Sequence, residues 1–247
     1  MRPRLQSLMV LVGCGLTFVP LTAWAGPAAD ALDAAGRPEW SSVMRIFVMM
    51  TLLSFIPIAV IGMTCFTRII VVLSLLRHAL GLPQTPPNSV LITLGLFLTF
   101  FAMAPVAEQV QSQALSPYLA QKISASEAIA RAEPAVRGFM VRQIRESDLL
   151  AVTEMARVAP PKRLEDIRFP HLAAAFILSE LKTAFQMGFV IFLPFLLIDL
   201  VVSAILMALG MIMLPPATIS LPLKLLLFIL IDGWVLVSKT LLGSIWS

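Results

Sequence analysis

The chain has 247 residues, 59% of them hydrophobic and only 13% charged, with a mean hydropathy of +0.92 and a formal charge of +4. Soluble domains carry about 25% charged residues, so this composition excludes an ordinary water-soluble domain and places the chain among membrane proteins. Two cysteines, Cys14 and Cys65, are too few for a disulfide framework, and no basic stripe with interleaved aromatics points to nucleic acid.

Residues 1–25 read as a secretory signal peptide. Arg2 and Arg4 supply the charged start, Leu8–Leu21 is mostly apolar, and Ala23-Trp24-Ala25 is a small-x-small cleavage site. A lipoprotein cut before Cys14 and an uncleaved first membrane helix stay open as alternatives. Residues 26–42 are small and polar, and a flexible extracytoplasmic segment is expected there.

Residues 43–107 are expected to form a first helical hairpin. The charge-free run between Arg45 and Arg68 is long enough for a helix of about 20 residues to cross a bilayer, with a kink expected at Pro57. Residues 67–80 are amphipathic, with Arg68 and Arg77 at the edges of an apolar block. Gly81, Pro83, Pro86 and Pro87 then turn the chain, placing a basic turn on the cytoplasmic side. Val90–Ala107 is the returning helix, ending near Pro105 and Glu108.

Residues 108–182 hold more than half of the charged residues and read as an extracytoplasmic helical region. Ser124 and Glu127 have capping-box spacing. Pro134 fits a first helical position. Val136, Phe139, Met140 and Ile144 follow three/four spacing, and Asp148 is a candidate cap for a further segment.

Residues 183–247 read as a second apolar hairpin. Asp199 is the only charge between Lys182 and Lys224. At 1.5 Å per residue a single helix there would be about 60 Å long, twice the hydrocarbon thickness. The run is therefore either one long protruding helix or a hairpin folded near Asp199, with Pro194 permitting the bend. Leu223–Ile245 is expected to be the last helix and carries Asp232. A charge at mid-bilayer costs at least about 2.5–3.5 kcal/mol, so Asp199 is expected to be protonated, paired or shielded, and Asp232 raises the same question. Met211 and Met213 sit at a helix end before Pro215-Pro216, a position suited to a loop projecting into a lumen.

No nucleophile elbow, zinc-protease helix, P-loop or dinucleotide fingerprint occurs. His78 and His171 are lone histidines. Neither an enzyme nor a cofactor or metal is expected.

Four stretches carry a resemblance: AAFILSELKTAFQMGF (174–189), PFLLIDLVVSAILMALGM (194–211), PPATISLP (215–222) and LFILIDGW (227–234), together with RIIVVLSLLRHALGLPQTPPNSVL (68–91). They closely resemble the FliP family of the flagellar type III protein export gate, related to the SctR proteins of virulence injectisomes. The resemblance implies an all-α, membrane-associated protein whose helical hairpins assemble into a ring. The resemblance implies that the ring is a pentamer joined by FliQ- and FliR-type proteins, in the bacterial inner membrane at the flagellar basal body. It implies that unfolded flagellar subunits pass through the ring and that other export apparatus proteins supply the energy. Met211 and Met213 match the family's methionine-rich loop, with Ile212 where many relatives have a third methionine, and the loop is implied to seal the pore. Phe139 matches an aromatic implied to line the lumen. Asp199, Asp232, Glu180 and Lys182 are the expected assembly contacts. The alternatives are an injectisome paralogue, a proton-coupled transporter using Asp199 and Asp232, and a membrane scaffold without a pore.

Overall fold

The structure, a computed structural model, describes residues 46, 47, 50, 51, 54, 56–159, 161, 163, 166–211 and 213–246. The signal-peptide reading (1–25), the N-terminal segment (26–42) and Ile212 lie outside the described residues. Among the described residues the regular structure is helical throughout, as the apolar content and three/four spacings require.

Helix α1 (Ile56–Met63) and helix α2 (Phe66–Ala79) meet at 81°. The charge-free run is therefore bent sharply at Thr64–Cys65; the chain just before Pro57 lies partly outside the described residues. Pro57 occupies the first turn of α1, where its missing N–H costs nothing. Thr64 instead gives its hydroxyl hydrogen to the Val60 carbonyl and accepts from the Phe66 amide at 3.3 Å. Such local side-chain bonds compete with the helical ladder.

Helix α3 (Asn88–Val110) keeps Pro105 in its interior and runs through a π-helical turn (Gln111–Leu115) into a last turn at Ser116–Leu119. It does not stop at Pro105 or Glu108. Helix α4 (Ala125–Gln143) starts as its sequence predicts: the Ser124 hydroxyl accepts from the Glu127 amide at 3.2 Å. Glu127 turns forward to Arg131 (2.6 Å). Pro134 lies within α4 and does not begin a helix. Helix α5 (Glu146–Met155) has Arg145 as its N-cap, so Asp148 sits in the first turn and not at the cap.

Helix α6 (Phe169–Ala208) is 40 residues long, about 60 Å. It passes through Pro194 without folding back, so the hairpin near Asp199 is not formed. Helix α7 (Ala217–Leu230) follows the reversal, and helix α8 (Gly233–Trp246) leaves it at 63°. The expected single last helix is thus broken at Ile231–Asp232. Among the described residues two helical stretches, Asn88–Leu119 and Phe169–Ala208, are long and apolar enough to cross a membrane, or up to four if each bent pair counts as one span.

Helix α2 is the centre of the fold. Ile69, Val72, Leu73 and Leu76 are fully buried, packed with Leu172, Phe176 and Ala184 of α6. Burial of each large aliphatic side chain contributes about 1.5–3 kcal/mol. Gly188 lets α2 approach α6 closely: a Cβ there would lie 2.2 Å from Leu75 Cδ1. The outward faces of α3 and α6 stay apolar and exposed, with Phe97, Phe100, Phe185, Phe189 and Leu197 among them. Exposed apolar area on this scale marks contact with lipid or protein.

Candidate functional site

The end of α6 shows why the methionines project. Leu209 is the C-cap, and Gly210 adopts φ 73°, a conformation that favours glycine. The Gly210 amide donates to Met207 O (3.1 Å) and the Met211 amide to Leu206 O (2.9 Å). This paired pattern closes the helix and redirects the chain. Pro215 and Pro216 then prevent the helix from resuming before Ala217. Between these two stops Met213 is 97% exposed and Met211 is 45% exposed. Gly210, Met211, Met213 and Leu214 line an open apolar hollow at this tip.

Below the tip, α6 and α7 are joined by a charge pair. Lys224 Nζ donates to Asp199 Oδ2 at 2.6 Å and to the Ala79 carbonyl at 3.2 Å. The ammonium thus sits on the C-terminal end of α2, where a helix dipole favours a cation. Its side chain is 8% exposed and that of Asp199 39%.

A second cluster lies in the core. Arg68 of α2 and Glu180 of α6 form a bidentate pair, through Nε to Oε2 (3.0 Å) and through Nη2 to Oε1. The remaining guanidinium hydrogens reach Gln143 Oε1 (2.7 Å), Ser244 O (3.0 Å) and Ser244 Oγ (3.3 Å). All five donors of the guanidinium are therefore engaged, and α2, α4, α6 and α8 meet there.

A third cluster fixes α5 to α6. Ser179 Oγ donates to Asp148 Oδ2 (2.8 Å) and accepts from the Arg145 amide (3.1 Å). Lys182 Nζ reaches Asp148 Oδ1 (3.3 Å), and Arg145 Nη2 reaches Thr183 Oγ1 (3.1 Å) and Gln186 Oε1 (2.5 Å). Burial pushes the Asp148 carboxyl up. The hydrogen bonds from Ser179 and Lys182 and the nearby cations outweigh it, so the group lies below the ordinary 3.8.

The expected site residues separate into different settings. Asp199 is paired within the chain. Glu180 is fully buried against Arg68 and holds this chain's own helices together. Lys182 serves the α5–α6 contact. Phe139, expected at a lumen, is in the core at 4% exposure, its ring edge-on to Phe176 at 5.8 Å. The cause is its place on the buried stripe of α4, beside Met140. Asp232 is exposed at the α7–α8 corner with φ 50°, and among the described residues its side chain makes no hydrogen bond or ion pair. Among the described residues no lysine of this chain is brought to it. Sequence reasoning missed Arg68, Lys224, Gln143 and Ser179. The only signal was a cation inside a largely apolar helix: Arg68 in α2 and Lys224 in α7.

A model of the FliP family matches residues 49–241. Among similar curated proteins is the flagellar biosynthetic protein FliP of Pectobacterium carotovorum subsp. carotovorum, 50% identical over 236 residues, covering 94% of this chain and 91% of that protein. The protein of the same name from Cereibacter sphaeroides is 47% identical over 250 residues, covering 99% of this chain and 83% of that protein. That of Bacillus subtilis is 49% identical over 204 residues, covering 83% and 92%.

Proposed function

The chain belongs to the FliP family, and from that premise we propose that it is a pore-forming subunit of the flagellar protein export gate. Membership makes it a membrane component of the flagellar export apparatus, working with the other proteins of that apparatus. In the finer reading, several copies form a ring in the bacterial inner membrane at the flagellar basal body. FliQ- and FliR-type proteins complete the channel, and unfolded flagellar subunits pass through it. The relatives' flagellar name favours this cargo over that of an injectisome.

The observation that carries the reading is the tip between Gly210 and Pro215. It presents Met213 almost free of intrachain contact, at the end of a hairpin held by Lys224 and Asp199. Methionine is flexible and polarisable. A ring of such tips would form an apolar constriction that seals against ions by dewetting and deforms around a passing chain. Paired Asp199 and isolated Asp232 give less support to a proton relay.

The mass of the detergent-purified particle, made alone and with a FliR-type partner, tests the assembly. A discrete ring that takes up the partner is expected. A chain that stays monomeric beside the full set of partners contradicts it.

A further inference from the structure

Glycines serve this chain in two ways. At Gly188 and Gly233 a Cβ would come within 2.2 Å of Leu75 and 2.1 Å of Phe228, so the missing side chain makes room for a neighbour. At Gly210 a Cβ would meet nothing within 4 Å, and φ is 73°. Space is free there, and only the backbone asks for glycine. A Cβ disfavours this left-handed region, and asparagine tolerates it better than other side chains do.

The tip has little else to hold it. Leu206 and Ser220 are buried, but between them no described residue is. Side-chain packing therefore does not set the course of the chain from one to the other. What does is a set of backbone bonds: Met211 N–H to Leu206 O (2.9 Å), Gly210 N–H to Met207 O (3.1 Å) and Leu214 N–H to Met211 O (3.4 Å). The first two form together because the residue at 210 is left-handed. With a right-handed residue there the helix runs on toward Pro215. Each added helical residue turns the chain by about 100° and advances it about 1.5 Å, so Met211 and Met213 would face other directions.

We propose that Gly210 is a positioning residue of the pore seal: its left-handed turn, and not packing, sets where Met211 and Met213 stand. The proposal rests on the pore-forming reading of the tip. A side chain at 210 that drives φ negative swings both methionines out of the constriction. It touches no contact of the core in doing so, since nothing lies within 4 Å of the Cβ position.

Ion conductance and particle mass, measured on the assembled particle for Gly210→Asn, Gly210→Ala and Gly210→Val, test this. The mass is expected to stay constant while leak rises in the order Asn, Ala, Val, with Ala about threefold or more above the unmodified chain. Asparagine is larger than alanine, so this order follows tolerance of the left-handed turn and not side-chain size. Leak that follows size, with Asn above Ala, overturns the proposal. So does a flat series, or loss of the particle in Gly210→Ala, which would assign Gly210 to assembly. The variant Met211→Ala plus Met213→Ala separates the two readings. Leak from that variant beside a flat Gly210 series overturns the positioning role alone, whereas no leak from any of them overturns the pore reading and this proposal with it.

Discussion

Arg68 and Glu180, 112 positions apart in sequence, meet through two hydrogen bonds with their side chains 3% and 0% exposed. The pair is stable because every donor of the guanidinium has a partner, not because charges are at home in a core. Removing one member leaves the other buried and unpaired, which costs about 3–5 kcal/mol. Glu180→Met is therefore expected to lower the thermal midpoint of the purified chain sharply. Glu180→Met combined with Arg68→Met recovers much of the loss, since an apolar pair of similar volume carries no desolvation cost. A double variant no better than the single one would show that the charges themselves stabilise the core.

Lys224 and Asp199 are asymmetric partners, and their variants are expected to differ. Asp199→Ala leaves a buried ammonium with only the Ala79 carbonyl, at a cost of about 1–3 kcal/mol. Lys224→Met removes the buried charge and leaves Asp199 on its more open side, with the smaller effect. Native electrophoresis of the assembled particle reads the order: less particle for Asp199→Ala than for Lys224→Met. The reverse order would place the important charge on Lys224 itself.

Asp148 gives the α5–α6 contact a defined pH dependence. Its folded-state value lies below the ordinary 3.8. A depressed carboxyl contributes stability above its unfolded value and loses it as pH falls through the folded value. The unmodified chain is therefore steady from pH 7 to about 5 and loses its advantage over Asp148→Asn below about 4. Limited proteolysis after Arg157, just beyond α5, follows this release. Parallel pH profiles for the two chains would contradict it.

The helical class was legible because it depends on local rules. The Ser124 cap, the buried stripe through Phe139 and Met140, and the apolar runs all act within a few residues. Three prolines misled for a physical reason. Pro105, Pro134 and Pro194 lie inside helices that continue past them. A proline removes one backbone bond, and a helix packed on both sides of it absorbs that loss. The breaks came elsewhere, at Thr64–Cys65 and at Ile231–Asp232, where local bonds and ring packing decide. The charge clusters were illegible because nothing in a sequence pairs Arg68 with a residue 112 positions away. Asp199 conspicuously needed a partner, and the one it found was 25 positions on, across the hairpin.

Ion conductance through the assembled particle, comparing the unmodified chain with Met211→Ala plus Met213→Ala, tests the central claim most directly. Both side chains are exposed at the tip, so assembly is expected to be intact while leak current rises about tenfold or more, as a shortened apolar constriction admits water. An intact particle with unchanged leak would remove these methionines from the seal and contradict the account.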